Sequence, residues 1–101
     1  MYIYNITTKV DNNIADEWKH WQKQTHIPET MITGFFYDCR FYELLEQNDE
    51  EGMTFVIQYF ALELEDYKEY IRNHAPLLIA KAFDKWKNQF IAFRTLLKSV
   101  N

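Results

Sequence analysis

Apolar and polar positions change period along this chain, and the changes predict its elements. Tyr2 to Val10 alternates, is rich in β-branched and aromatic residues and holds no Gly or Pro, which reads as a strand. After Asp11-Asn12-Asn13 the period becomes helical. Ile14, Trp18, Trp21 and Thr25 fall on one stripe at i, i+4, i+7 and i+11, while Lys19, His20, Gln22 and Lys23 point elsewhere. Asn13 or Asp11 is placed to cap this helix, with Asp16 and Glu17 in its positively polarised first turn. Pro28 has no N–H, its ring opposes the carbonyl of Gln24, and it turns Ile27 away from helical dihedrals. The helix is therefore expected to end or kink beside His26, restart at Pro28 and stop at Gly34 in a left-handed cap.

Phe35 to Glu46 reads as a second strand and Met53 to Leu62 as a third, joined by Gln47-Asn48-Asp49-Glu50-Glu51-Gly52, a polar, glycine-ended hairpin loop. Glu63, Glu65, Asp66 and Glu69 then mark a helix start, with Tyr67, Tyr70, Ile71, His74 and Leu78 as its inward stripe. Pro76 interrupts this helix as Pro28 does the first. A further segment with Leu78, Ile79, Ala82, Phe83 and Trp86 at helical spacing leads through Lys87-Asn88 to a last strand, Phe90 to Lys98. The order is βαββαβ. The halves echo one another as W-x2-W-x4-H-x-P and Y-x2-Y-x3-H-x-P. The expectation is one ferredoxin-like α+β domain over residues 1–101, a four-stranded antiparallel sheet with helices on one face.

Such a sheet should be apolar under its helices and polar on its open side. Alternation assigns Tyr4, Ile6, Tyr37, Cys39, Phe41, Phe55, Ile57, Tyr59, Ile91, Phe93 and Leu97 to the helix side. The open side then receives Ile3, Asn5, Thr7, Phe36, Arg40, Tyr42, Val56, Gln58, Phe60, Phe90, Ala92, Arg94 and Leu96. That face is too apolar to be left wet, and a symmetric homodimer packing sheet on sheet would cover it. Within it each strand contributes one strongly polar group, Asn5, Arg40, Gln58 and Arg94. They either fix the interface register through ion pairs or line a cavity for a small anionic or aromatic ligand.

Composition narrows the function classes. Aromatic residues make up 18% of 101 residues, a heavy load that calls for a large core or a second covered apolar surface. Lys and Arg total 11 against 15 Asp and Glu, a net charge of −4, so no global field draws a phosphate backbone and nucleic acid is not an expected partner. One cysteine, Cys39, excludes an intrachain disulfide; no stretch reaches the ~20 apolar residues of a membrane span. The start MYIYNITTKV lacks a basic, apolar leader pattern, so a soluble cytoplasmic protein is the default.

Three histidines invite a search for chemistry. His20 and His26 are six residues apart, outside the i, i+3 or i+4 relation that lets two ligands share an ion, and no metal site is expected. His20 reads as solvated. His26 and His74 read as histidines at helix breaks, each satisfied by backbone carbonyls; the functional alternative is a general base, or an axial ligand to a porphyrin, in a cavity lined by Trp18, Trp21 or Tyr59. The candidate ligand-binding set is Asn5, Arg40, Gln58, Arg94, His26 and His74. No phosphate loop, dinucleotide fingerprint, nucleophile elbow, zinc-protease motif or C-x-x-C is present, so no motif calls for a cofactor or identifies a catalytic residue. Cys39, in the helix-facing set, reads as an inert buried thiol.

MYIYNITTKV, the W-x2-W-x4-H run continuing as HIPETMITG, TFVIQYF, E-D-Y-x2-Y-I-x2-H-A-P and the closing FIAFRTLL together resemble a small bacterial family known as domain of unknown function 4286. Its members are similar in plan to the dimeric α+β barrel group. That resemblance implies a homodimer with opposed sheets and, because the group includes cofactor-free monooxygenases, haem-degrading enzymes and isomerases, no one reaction. Haem-degrading members use an Asn on the first strand, where Asn5 sits, but no Trp and His here match the rest of their set. The sequence therefore reads as a homodimeric small-molecule-binding or interaction module, with a cavity between each sheet and its covering elements. The alternative is a cofactor-independent monooxygenase or isomerase.

Overall fold

The computed structural model describes residues 1–46, 48 and 50–101. Strands β1 (Tyr2–Asp11), β2 (Asp38–Glu43), β3 (Gly52–Ala61) and β4 (Phe90–Lys98) form one antiparallel sheet in the order β2-β3-β1-β4. Between β1 and β2 lie a 3-10 turn (Asn12–Ile14), α1 (Ala15–Trp21), a π turn (Gln22–His26) and α2 (Ile27–Met31); between β3 and β4 lie α3 (Leu64–Asn73) and α4 (Ala75–Trp86). The βαββαβ order and the ferredoxin-like arrangement stand as read from the sequence. Of the expected hairpin loop between β2 and β3, Gln47 and Asp49 lie outside the described residues.

Both helical layers are broken at a histidine, by different means. Ahead of Pro28, which can donate no hydrogen bond, the helix widens by one residue and the Ile27 N–H reaches the Gln22 carbonyl, five residues back. The Thr30 hydroxyl donates to the His26 carbonyl at 3.2 Å, and Gly34 closes the segment at φ +86°, the left-handed geometry that glycine adopts most readily. In the second layer His74 leaves helical geometry (φ −125°) and Pro76 opens α4 in its first turn, where a missing N–H costs nothing. The sequence echo differs by one residue between aromatic and histidine. The π turn absorbs that residue, so that His26 stacks on Trp21 five positions earlier as His74 stacks on Tyr70 four positions earlier.

The core lies between the sheet and these helices. Tyr4, Val10, Phe55, Ile57, Tyr59 and Ala61 face Ile14, Trp18, Tyr70, Leu78 and Trp86. Tyr4 sits among the rings of Phe36, Tyr59, Tyr67 and Tyr70 at centroid distances of 5.6 to 6.2 Å. At α3 the Glu63 and Asp66 side chains exchange backbone hydrogen bonds in a capping box. Asp11 makes no side-chain cap to the turn at Asn12, and no side-chain cap hydrogen bond opens α1, so the capping expected of Asp11 or Asn13 is not formed.

The register of β4 reverses the face expected of it. Val10, Thr8, Ile6 and Tyr4 pair with Phe90, Ala92, Arg94 and Leu96, which places that set, Arg94 included, on the helix side. Ile91, Phe93 and Leu97, expected in the core, instead pair with Lys9, Thr7 and Ile3 on the open face and are 61%, 65% and 42% exposed. Phe36 and Tyr37 exchange roles as well. The chain stays irregular from Gly34 to Tyr37, β2 begins only at Asp38, and Phe36 turns into the core while Tyr37 stays exposed. On α4, Leu78, Ala82 and Trp86 are buried, but Ile79 and Phe83 lie on the outer flank.

Candidate functional site

The six residues singled out from sequence fall into three places. Asn5 and Gln58 face each other across β1 and β3 on the open side, the Gln58 amide donating to Asn5 Oδ1 at 3.2 Å. Thr95, opposite Asn5 on β4, takes the place in this polar row that was expected for Arg94. Arg40 stands opposite Gln58 and forms an exposed ion pair with Asp38 at 3.3 Å. His74 packs against Phe35 and Tyr70 at the junction of α3 and α4, beside an open groove of about 350 Å³ that Glu29, Leu77 and Lys81 also line. Arg94 and His26 meet on the helix side.

That meeting is built by the π turn. Gln22, four residues after Trp18, keeps the buried face of α1, and the π turn that follows brings His26 to the same side. Gln22 is 5% exposed. With Trp18 above, Thr8, Ile57 and Tyr59 below, and Ala92 and Arg94 at the β4 edge, these side chains enclose a cleft of about 30 Å³, room for one water-sized group. Gln22 Oε1 and His26 Nδ1 are both buried without a hydrogen-bond partner among the described residues. A buried polar atom left unpaired is costly, and both atoms belong to residues that line this cleft.

Electrostatics set the state of each group. Burial removes water from the imidazolium and pushes His26 down to about 4; Glu29 opposes this, while Arg94 and Lys81 add to it. At neutral pH His26 is therefore an uncharged imidazole able to accept a proton. The Arg94 guanidinium lies near the Tyr4 hydroxyl, whose pKa burial raises and this positive neighbour partly lowers. Among the described residues no carboxylate forms an ion pair with Arg94. Tyr59 and Tyr70 are raised by burial, Tyr70 to about 12, and the neighbouring Thr30 hydroxyl partly opposes this in both. Burial pushes the Cys39 thiol up to about 12, far from a reactive thiolate at neutral pH.

Sequence reasoning missed Gln22, Thr30 and Tyr4 as parts of this assembly. The one legible signal was the additional residue between Trp21 and His26, relative to Tyr70 and His74, which a π turn is able to absorb. A second, shallower groove of about 490 Å³ opens between α1 and α4, with Trp21 and Trp86 as its apolar walls. Among the described residues no cluster of three or more His, Cys, Asp or Glu side chains is arranged to hold a metal ion. No described helix is long and apolar enough to cross a membrane.

Solved structures share this fold. An EthD-family protein from Bacillus halodurans superposes with a TM-score of 0.71 at 11% identity, covering 99% of this chain and 100% of its own. A variant of a cofactor-independent oxygenase from Streptomyces nogalater gives 0.67 at 10% identity over 99% and 94% of the two chains. A dimeric ferredoxin-like protein from an uncultured marine organism gives 0.65 at 10% identity over 100% and 96%. At these identities the likeness is one of fold. A search of curated protein sequences found no match. Residues 1–100 match the family model described as "Domain of unknown function (DUF4286)", and the chain belongs to that family.

Proposed function

We propose that this chain is a cytoplasmic small-molecule-binding module that works as a homodimer, its two sheets packed through their open faces and its ligand held in the helix-side cleft. The binding reading is carried by one observation: Gln22 and His26, whose Oε1 and Nδ1 are buried and unpartnered among the described residues, line the same cleft as Arg94, which has no ion-pair partner among those residues. The dimer is supported by the large side chains of Tyr42, Ile91, Phe93 and Leu97 left exposed on the open face, and by a fold-mate that is itself described as dimeric. In this arrangement the Asn5–Gln58 pair, Arg40 and Thr95 act as the polar row that sets the register of the two sheets.

Native mass spectrometry of protein purified from cells tests both halves, because it reads stoichiometry and any co-purified ligand together. The expected result is a dimer carrying a small molecule that Arg94→Met loses while the dimer persists. A compact monomer at micromolar concentration overturns the assembly, and a dimer with no ligand in either protein overturns the binding site.

A second reading, a cofactor-independent oxygenase or isomerase, is favoured by the neutral His26 base stacked on Trp21 and by the fold shared with the Streptomyces nogalater oxygenase. It ranks second on size. A cleft of about 30 Å³ is far below the roughly 300–1,000 Å³ of pockets that enclose a drug-sized ligand. Turnover of an aromatic substrate by a protein whose cleft stays this narrow would contradict the ranking.

A further inference from the structure

We propose that the outer edge of β4 is a docking site for an acidic, extended peptide of another protein, which adds to the sheet as a fifth strand. β4 is nine residues long and bonded only to β1, so its outward backbone N–H and C=O groups face no strand of this chain. Its register with β1 runs from Phe90 to Lys98 without a bulge, and FIAFRTLLK contains neither Gly nor Pro. Side chains are exposed on both faces, Phe93 and Leu97 on the open face, Arg94 and Leu96 on the helix side. The other edge of the sheet is blunted. β2 has six residues, of which Asp38, Arg40 and Glu43 are charged, and Cys39 and Phe41 pack on the core.

Charge identifies the partner. Arg94 and Lys98 fall on one face of β4, four residues apart with Leu96 between them, and neither forms an ion pair among the described residues. Tyr4, the polar neighbour of Arg94, is uncharged at neutral pH and leaves the guanidinium's charge uncompensated. A second copy of β4 would bring the same two cations to the seam and no carboxylate. A strand carrying a carboxylate opposite each cation, with an apolar residue midway, meets all three side chains while its backbone takes up the free edge. The spacing holds for either strand direction, because same-face residues recur every second position in both. The intervening positions fall beside Thr95 and Leu97 on the open face, where β-branched residues suit. The sheet-to-sheet packing proposed above uses that face and does not require this edge.

The test uses the full-length protein and the labelled peptide Thr-Glu-Val-Leu-Val-Glu-Thr. In one control both Glu are Lys; in the other the adjacent Leu-Val is Pro-Pro, which removes a ladder N–H whichever way the strand faces. Fluorescence anisotropy at low salt should show the Glu peptide binding about fivefold more tightly than either control. Arg94→Glu should turn the preference toward the Lys peptide, and Lys98→Glu, at the exposed end of the strand, should weaken the Glu peptide. In amide hydrogen exchange, the alternate β4 amides that point away from β1 should exchange rapidly in the free protein and become protected with the peptide. No binding, equal binding of the Glu peptide and either control, or a preference that neither substitution alters overturns the proposal. Protection of those amides before peptide is added means that a second copy already occupies the edge, and overturns it whether or not the sheet-to-sheet dimer stands.

Discussion

The imidazole of His26 lies nearly flat on the indole of Trp21, ring centroids 4.4 Å apart and planes 23° from parallel. In an unbroken α-helix residues five apart point in different directions; here the π turn brings them into register. The stack hides the imidazole from water, and its depressed basicity has a thermodynamic consequence.

Between pH 6.5 and about 4 the unfolded chain binds a proton at His26 that the folded chain does not, so stability falls on acidification across that window and is unaffected above it. A shift from 6.5 to about 4 corresponds to about 3 kcal/mol at full effect. Urea unfolding at pH 7 and pH 4 should show His26→Gln losing less stability than the unsubstituted protein by about that amount.

Phe93, 65% exposed on the open face, contributes little to the fold of one copy and would lie within the proposed sheet-to-sheet contact. Phe93→Lys should leave the circular dichroism spectrum unchanged and halve the mass in light scattering, from twice 12.3 kDa to 12.3 kDa.

Thr30 is 1% exposed, donates to the His26 carbonyl and lies beside the buried Tyr59 and Tyr70. Thr30→Val keeps the shape and removes the hydroxyl, leaving the His26 carbonyl without this donor. The expected cost is roughly 1–3 kcal/mol by urea unfolding.

The two glycines should respond differently to alanine. A Cβ at Gly52 would sit 2.6 Å from the Val10 carbonyl oxygen, a backbone atom of the paired strand that cannot move aside. Gly34 has open space around it and only its φ of +86° to oppose a side chain. Gly52→Ala should cost about 2–3 kcal/mol or prevent folding and Gly34→Ala about 1–2 kcal/mol, read as the difference in denaturation midpoint at equal slope.

Element order, the two proline breaks, the stacked layers and the presence of surplus apolar surface were all written locally in this sequence. Period 2 against period 3.6, proline's missing N–H and the glycine at position 34 act over a few neighbouring residues, which is why they could be read without coordinates. The face of β4 could not be read that way. Phe90, Ile91, Ala92, Phe93, Leu96 and Leu97 put apolar groups at both parities, so alternation gave no preference, and the choice fell to backbone pairing with β1. That one register moved Arg94 from the open face to the side where Gln22 and His26 lie. The sequence alone thus determined that a sheet would be covered by broken helices. Only tertiary pairing decided which polar groups meet beneath them, because that depends on hydrogen bonds between residues more than sixty positions apart.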